Sequence, residues 1–345
     1  MDKIIQKLID IHSLSVSEYA DLLNNATDSD KETLKNEAVR LATTIYGKDI
    51  YMRGLIEFSN YCKNDCFYCG IRNGNKNSDR YRLTTDEIYN CCDVGYELGF
   101  RTFVLQSGED LYFNDDLMVE IISHIRQKFK DVAITLSVGE KEKSTYQKYF
   151  AAGANRYLLR HEAANKELYN KIHPANMSYE HRMKCLKDLR EIGFQVGAGF
   201  MVGVPGQTND DLALDLKYIE EFKPEMCGIG PFIPHVDTIY KNEKAGTLEK
   251  TLLLLSIIRI IHKNILLPST TALGTINPLG RELGVMHGAN VVMPNLSPVD
   301  VRKKYSLYDN KICTGDEAAE CRACLDNRMK KIGYRLVVDR GDYKK

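Results

Sequence analysis

The chain has 345 residues, 43% of them hydrophobic, with 47 basic residues balanced by 47 acidic ones and ten cysteines. That length can bury a substantial core in one large α/β domain or two smaller ones, and zero net charge gives no global field toward nucleic acid or an anionic membrane, so neither is expected as a partner. The N-terminal run from Met1 to Lys7 leads into no apolar signal-peptide core, so a reducing, cytoplasmic setting is expected, with the cysteines as ligands or packing residues rather than disulfides.

Residues 1–48 hold two amphipathic helical patterns, near Ser17–Asn25 and Asp30–Tyr46, and read as an N-terminal helical extension without chemistry. From residue 49 onward, β-branched or apolar runs alternate with helix-period stretches, the pattern of repeated βα units on a parallel sheet. Strands are predicted near Gly54–Phe58, Thr102–Gln106, Ala133–Ser137, Arg156–Arg160, Gln195–Met201, Met226–Gly230, Leu266–Thr271 and Asn290–Met293. Thr84 with Glu87 makes a capping box for a helix to Leu98, and Asp210 and Asp211 put negative charge at the start of one running to Phe222. The apolar run Thr251–Ile261 is interrupted at Arg259 and followed by His262 and Lys263, too short to span a bilayer and better suited to a buried helix. Eight units across residues 49–300 predict a complete (β/α)8 TIM barrel, of the usual ~250 residues. Residues 301–345 follow as a C-terminal segment bearing cysteines. A six-stranded partial barrel is the competing architecture, and the seventh and eighth units speak against it.

Cys62, Cys66 and Cys69 form a CxxxCxxC triplet directly after the first of these strands. Three thiolates are one short of closing a 4Fe–4S cube, which leaves one iron open to another ligand. Structural zinc wants four ligands, and no second pair follows within the next 20 residues; zinc or a plain electron-transfer cluster stays as the bland alternative. The triplet resembles that of the radical S-adenosylmethionine (SAM) enzymes. There the open iron chelates the amino and carboxylate groups of SAM, and one electron splits the sulfonium into methionine and a 5′-deoxyadenosyl radical.

In a TIM barrel the active site lies at the carboxyl ends of the strands, so the polar residues just after each strand are read first for function. Gln106, Ser107, Gly108 and Glu109 follow strand two; Thr135 and Ser137 accompany strand three; Arg160, His161 and Glu162 end strand four. The Gly203-Val-Pro-Gly206 turn follows strand five, Pro231 to His235 strand six, and Thr270 to Thr275 strand seven. A Ser-Gly-Glu turn lets the backbone approach the methionine amine, Glu162 suits ribose hydroxyls or that amine, and Arg182 offers a planar fork to the methionine carboxylate. Each has an ordinary reading beside it. Arg160, His161 and Glu162 also read as an ordinary surface ion-pair cluster, His161 and His235 equally well as structural histidines, and Gly203 as an ordinary turn residue. It is their recurrence in barrel order that favours the functional reading.

The stretches Cys62–Arg82, Leu105–Asp110, Tyr157–Glu162, Gly199–Thr208, Gly228–His235 and Thr270–Thr275 resemble the HydE family of FeFe-hydrogenase maturases, in the biotin synthase-like group of radical SAM enzymes. The likeness runs from about residue 50 onward. It implies a closed barrel holding SAM and substrate near its top. Tyr68, Gln106, Ser107, Gly108, Glu109, Thr135, Ser137, Glu162, Arg182 and Gly203 are then expected on the SAM side, and Arg160, Thr270, Thr271 and Tyr308 on the substrate side. The resemblance further implies action on a cysteine-bound iron carbonyl–cyanide precursor of the hydrogenase H-cluster, with a ferredoxin or flavodoxin as reductant and other hydrogenase maturases as partners.

Cys313, Cys321 and Cys324 lie beyond the eighth strand. The family resemblance implies an accessory 2Fe–2S or 4Fe–4S cluster there; free thiols or adventitious metal are the alternative. Cys91, Cys92, Cys185 and Cys227 read as small packing residues. Two further readings stay open: a methylornithine synthase-like carbon-skeleton mutase acting on lysine, and a non-enzymatic iron–sulfur or zinc protein.

Overall fold

Local start signals set the helices. In the computed structural model, which describes residues 1–315 and 318–344, Ser15 with Glu18, Thr27 with Asp30, Thr84 with Glu87 and Thr208 with Asp211 each form a reciprocal capping box. Each box satisfies N–H groups that a helix leaves unpaired at its first turn. The chain opens with helices α1 (Asp2–Ile11), α2 (Val16–Asn25) and α3 (Asp28–Tyr46), of which α1 is additional to the two predicted. It continues through β1 (Asp49–Met52), β2 (Gly54–Ser59), α4 (Thr85–Glu97), β3 (Thr102–Ser107), α5 (Asp115–Lys128), β4 (Ala133–Ser137), α6 (Lys143–Ala152) and β5 (Arg156–Leu158). Then come α7 (Lys166–Ile172), α8 (Tyr179–Ile192), β6 (Gln195–Ala198), β7 (Met201–Val202), α9 (Asn209–Phe222), β8 (Met226–Cys227) and β9 (Gly230–Pro231). The chain ends with α10 (Leu248–Ile261), α11 (Thr271–Ile276), α12 (Gly280–Val285), β10 (Val291–Val292), α13 (Val299–Arg302), α14 (Ala318–Lys331) and β11 (Arg335–Val337).

Strands β2, β3, β4, β5, β6 and β8 form one parallel sheet in that order. Parallel bridges from Met226 to Leu266, Pro268 to Val291 and Leu55 to Asn295 carry the ring around to β2, so the α/β barrel closes. Positions seven and eight are thinner than predicted. Pro268 and Pro294 lack an N–H to give to a ladder, and the chain turns into α11 at Thr271 rather than extending. The fifth and sixth strands are each cut in two, with the upper halves β7 and β9 paired separately. The cut falls at Gly199, where a Cβ would sit 2.1 Å from the Gly228 carbonyl oxygen.

The N-terminal helices complete the outer layer. Helix α2 lies along α9 and α3 along α10, with Ser13 and Tyr19 both donating at 2.7 Å to Glu220. That cover explains the apolar run of α10, which is buried from Thr251 to Ile261. Among the described residues no helix is long and apolar enough to cross a membrane. The end of the chain joins the barrel as well. Strand β11 pairs with β1, Ile50 opposite Leu336, and the buried guanidinium of Arg156 donates to the carbonyls of Arg340 and Gly341 and to Asp342. Residues 335–342 therefore close the end of the barrel opposite its mouth, a role the cysteine-bearing label for residues 301–345 did not foresee.

Candidate active site

A cavity of about 390 Å³ opens at the carboxyl ends of the barrel strands, with Cys62, Cys66 and Cys69 on its wall. The loop that carries them is held rigidly by polar side chains. Arg80 donates to the carbonyls of Asn60, Ile71, Arg72 and Asn75, and Asn60 ties residues 79, 81 and 304 together. After the last cysteine only glycine fits, since a Cβ on Gly70 would lie 2.2 Å from the Ser306 carbonyl oxygen.

Burial pushes all three thiols up, that of Cys69 to about 12, and at Cys66 and Cys69 the charge of neighbouring thiolates adds to it. Three thiols in this setting carry a charge only if a cation compensates it. The backbone N–H of Glu109 points at the Cys62 sulfur from 3.4 Å, and Met177 sulfur lies 3.6 Å from that of Cys66. Among the described residues no three thiol, imidazole or carboxylate groups converge on a single metal ion. A donor set of separated thiolates lining one wall fits a polynuclear cluster, one thiolate per iron, better than mononuclear zinc.

The turn after β3 presses against this loop. A Cβ on Gly108 would fall 2.2 Å from the Tyr61 carbonyl oxygen and 2.8 Å from the Cys62 Cβ, so glycine is required there. Gln106, Ser107, Gly108, Glu109 and Ser137 all line the cavity. Glu109 is already engaged: its carboxylate accepts from the Glu140 N–H at 2.9 Å and pairs with Lys63 at 3.1 Å. Tyr68 donates its hydroxyl to Nε2 of His173 at 3.1 Å, and His173 Nδ1 faces the Tyr169 carbonyl at 2.9 Å. Burial lowers that imidazole to about 3, so it stays neutral with the proton on Nδ1.

Glu162 stands at the end of the β5 unit with φ of 66°, a left-handed conformation that costs a side-chain-bearing residue roughly 1 kcal/mol or more. Its carboxylate and the Arg160 guanidinium are 3.3 Å apart, both on the cavity wall. Arg182 also lines the cavity, but its fork is divided between Glu140 and the Arg160 carbonyl. Burial works against its charge while Glu140 holds it on. Thr270, Thr271 and Tyr308 complete the opposite wall; the Thr270 hydroxyl is buried without a hydrogen-bond partner, and burial raises the Tyr308 hydroxyl to about 12.

Two predicted residues lie elsewhere. Gly203 is not on the cavity wall; it is exposed and packs against Gly246, which a Cβ would approach to 2.5 Å. Thr135 lies two residues before Ser137 on the same inward face of β4, one layer deeper, with its hydroxyl buried and unpartnered. Conversely, Glu57, Tyr305 and Lys311 line the cavity and were not predicted. Glu57 projects from β2, accepts from Asn295 at 2.7 Å and pairs with Lys311. An acidic residue inside a predicted barrel strand was the signal in the sequence.

The second cysteine group assembles in part. Cys313 has φ of 62° and receives Arg281 Nη2 at 3.2 Å. Cys321 is buried next to it, its thiol raised first by Cys313, while Cys324 is exposed. Cys91, Cys92, Cys185 and Cys227 are buried.

The sequence model described as the Radical SAM superfamily matches residues 56–219, from β2 across the cysteine loop to α9. The FeFe hydrogenase maturase subunit HydE of Thermotoga maritima is 44% identical over 314 residues, 91% of this chain and 89% of that protein. A 3-methylornithine synthase of Methanosarcina acetivorans is 27% identical over 90% of this chain and 88% of its own length. A crystal structure of methylornithine synthase (PylB) superposes with a TM-score of 0.85 at 24% identity, covering 97% of both chains, which establishes the closed-barrel fold. Identity at the level of the Thermotoga protein, over nearly the whole of both chains and across a barrel-mouth cavity walled by the CxxxCxxC thiols, makes this chain a radical SAM enzyme of the HydE family.

Proposed function

We propose that the chain holds a 4Fe–4S cluster on Cys62, Cys66 and Cys69, binds SAM against it, and acts in assembly of the FeFe-hydrogenase H-cluster on a cysteine-bound iron carbonyl–cyanide precursor. The observation that carries this reading is the polarity of one cavity: three half-buried thiols on one wall, and Arg160, Lys311 and the unpartnered Thr270 hydroxyl on the others. When bound, the cluster and SAM supply one-electron cleavage of the sulfonium and a 5′-deoxyadenosyl radical. The protein's part is to position and to exclude water. The Gly108 turn brings backbone within reach of the methionine amine, and Gln106, Ser107, Glu109, Ser137 and Glu162 border the same space. Tyr68, fixed by neutral His173, closes its edge. Arg182, locked by Glu140, sets the Arg160 carbonyl and so the direction of the Arg160 side chain. Cations and hydroxyls in a site removed from water act strongly on an anionic metal complex. Thr135 and Gly203, off the cavity wall, are not assigned to SAM here.

An accessory 2Fe–2S or 4Fe–4S cluster on Cys313, Cys321 and Cys324 is part of the same proposal, supported by the proximity of Cys313 and Cys321. A ferredoxin or flavodoxin would serve as reductant, and other hydrogenase maturases would deliver and receive the organometallic cargo. The test is anaerobic reconstitution with iron and sulfide, reduction with SAM present, and assay for 5′-deoxyadenosine. No product from a protein with an intact cluster would sink the radical reading. The fold shared with methylornithine synthase keeps one rival, and a side-by-side assay separates them: turnover of L-lysine, and none of the cysteine-bound iron complex, would favour the mutase.

A further inference from the structure

The segment from Tyr305 to Cys313 gives the cavity wall Tyr305, Leu307, Tyr308 and Lys311, and it ends at the first cysteine of the second group. Its end rests on the elements that carry the facing threonines: α11 begins at Thr271 on the same wall, and α12 follows it. A Cβ on Gly274 of α11 would lie 2.8 Å from Ile312 Cδ1 and 3.5 Å from Arg281 Cγ, so the segment and α12 meet over a bare stretch of helix backbone. Glycine weakens a helix interior, and at this position it makes room for both side chains.

Arg281, buried in the first turn of α12, makes the polar tie. Its Nη2 donates to Cys313 Sγ at 3.2 Å, and its carbonyl accepts from Ser269 Oγ at 2.8 Å, one residue before Thr270. Cys313 has φ of 62°, a left-handed backbone that is costly for a residue with a Cβ and has to be held by its surroundings. Glu282, next in the chain, pairs with Arg328 at 2.5 Å and so fastens α14, the helix of Cys321 and Cys324, to α12 as well. Burial raises the Tyr308 hydroxyl, Cys313 and burial raise the Cys321 thiol, and the Arg281 charge opposes both shifts. This guanidinium therefore stands between the cavity wall and the second group of thiols.

We infer that Arg281 is a positioning residue for the substrate-side wall, acting through Cys313 to hold the segment that carries Tyr308 and Lys311. The inference rests on the substrate side proposed above, and it adds a task for Cys313 in substrate binding that is separate from electron transfer. Cluster sulfurs accept hydrogen bonds, so the tie is compatible with an accessory centre on the same cysteine. SAM lies outside its reach: the residues that border the SAM space belong to the cysteine loop, β3, β4 and the Arg160–Glu162 turn, and the printed contacts of Arg281 are with none of them.

Arg281→Met, which keeps the stem and removes the donors, and Arg281→Lys, which restores a charge and a donor, test it in the reconstituted enzyme. Two quantities are measured: amide hydrogen exchange of residues 305–313 against strands β2 to β5, and binding of the cysteine-bound iron carbonyl–cyanide complex against binding of SAM. In Arg281→Met, exchange should quicken about tenfold in 305–313 alone and the dissociation constant of the iron complex should rise about tenfold. SAM affinity and substrate-free formation of 5′-deoxyadenosine should stay unchanged, and Arg281→Lys should recover most of both losses. Cys313→Ala should give the same local acceleration, and adding Arg281→Met to it should change little, because both substitutions remove one contact. Exchange and iron-complex binding equal to those of the unsubstituted enzyme would overturn the inference. So would a parallel loss of SAM affinity with faster exchange in the barrel strands, the mark of general damage, and so would full additivity of the two substitutions, which would mean that Arg281 does not act through Cys313. If the unsubstituted enzyme fails to bind the iron complex, the proposed substrate falls, while exchange in 305–313 still decides for or against the tie.

Discussion

Nε2 of His161 lies 3.1 Å from Oδ1 of Asp215, and both side chains are wholly removed from solvent behind the cavity wall. The Gly199 N–H points at His161 Nδ1 from 3.3 Å, so Nδ1 is the acceptor and Nε2 carries the proton donated to Asp215. The same carboxylate oxygen accepts the Ala164 N–H at 2.6 Å. This pair grips residues 161 and 164 and so fixes the turn on which Arg160 and Glu162 face the cavity, with Glu162 in its left-handed conformation. Asp215→Ala should leave two buried donors unpaired, at about 1–3 kcal/mol, and release that turn. We expect a dissociation constant for SAM raised about tenfold, the equivalent of 1.4 kcal/mol, with cluster content unchanged. Asp215→Asn, which keeps the accepting oxygen, should recover most of the affinity. Equal SAM binding by the alanine variant and the unsubstituted enzyme would show that the pair serves stability alone.

A strap from Tyr305 to Lys311 crosses the mouth of the cavity. It is pinned at Leu307 by the Gly70 N–H at 2.9 Å and at Asp309 by the Pro234 carbonyl at 3.1 Å. Its far end plunges inward, where Lys311 pairs with buried Glu57. Lys311→Met should strand that carboxylate with Asn295 as its remaining side-chain partner, and stranding a buried charge costs up to about 3–5 kcal/mol. Hydrogen exchange at the amides of residues 305–311 should accelerate ahead of the barrel strands. Adding Glu57→Gln should restore much of the lost stability because the uncompensated charge disappears. A double variant no more stable than the single would refute the ion pair as the anchor.

The sequence disclosed most where one chain property dictates one structure. Thr84 with Glu87 announced a helix start because both groups are needed for one reciprocal cap, and the cysteine triplet pointed to the radical SAM family because spacing and donor chemistry coincide. Strand lengths were less legible. The predicted strand Gln195–Met201 breaks at Gly199 because its backbone nearly touches Gly228, a contact between residues far apart in sequence. Arg80 and Asn60 hold the cysteine loop through carbonyls, and carbonyls have no sequence signature. Gly203 looked like a ligand turn after a strand, yet the break in the strand turned it outward against Gly246. The pairing of β11 with β1 joins residues 49 and 335, and no local pattern reports such a long-range contact.

The two cysteine groups should separate by what their loss removes. Cys66 lies on the cavity wall, half-buried beside Met177. Cys66→Ala should leave two ligands, too few to hold the cluster, and abolish 5′-deoxyadenosine formation, with the brown absorbance reduced to that of any accessory centre. Cys321→Ala removes a thiol outside the cavity wall and should retain most product while lowering the iron content. Iron and sulfide analysis with the SAM cleavage assay decides both. Loss of cleavage in the Cys321 variant would mean that the second group takes part in the chemistry.

The end of the barrel opposite the cavity gives a pH-dependent prediction with a definite sign. Arg156 is fully buried and Asp342 partly so, at 2.6 Å. Burial alone would raise the Asp342 carboxyl, but Arg156, and then Arg340, bring it below its ordinary value. A carboxyl lower in the folded than in the unfolded chain contributes stability above the unfolded value, about 4, and loses it as pH falls through the folded one. Asp342 keeps 41% of its side-chain surface in water, so screening limits the direct contribution to about 1 kcal/mol or less. Asp342→Asn should therefore lower the melting temperature at neutral pH by about 2 °C for a chain of this size. The gap should begin to narrow below about pH 4, where the unfolded chain takes up the proton, and close as pH falls through the lower folded value. Thermal unfolding of both proteins at pH 7 and pH 3 is the measurement. A gap of equal size at the two pH values would show that Asp342 secures the C-terminal segment by shape and hydrogen bonding, and not by its charge on Arg156.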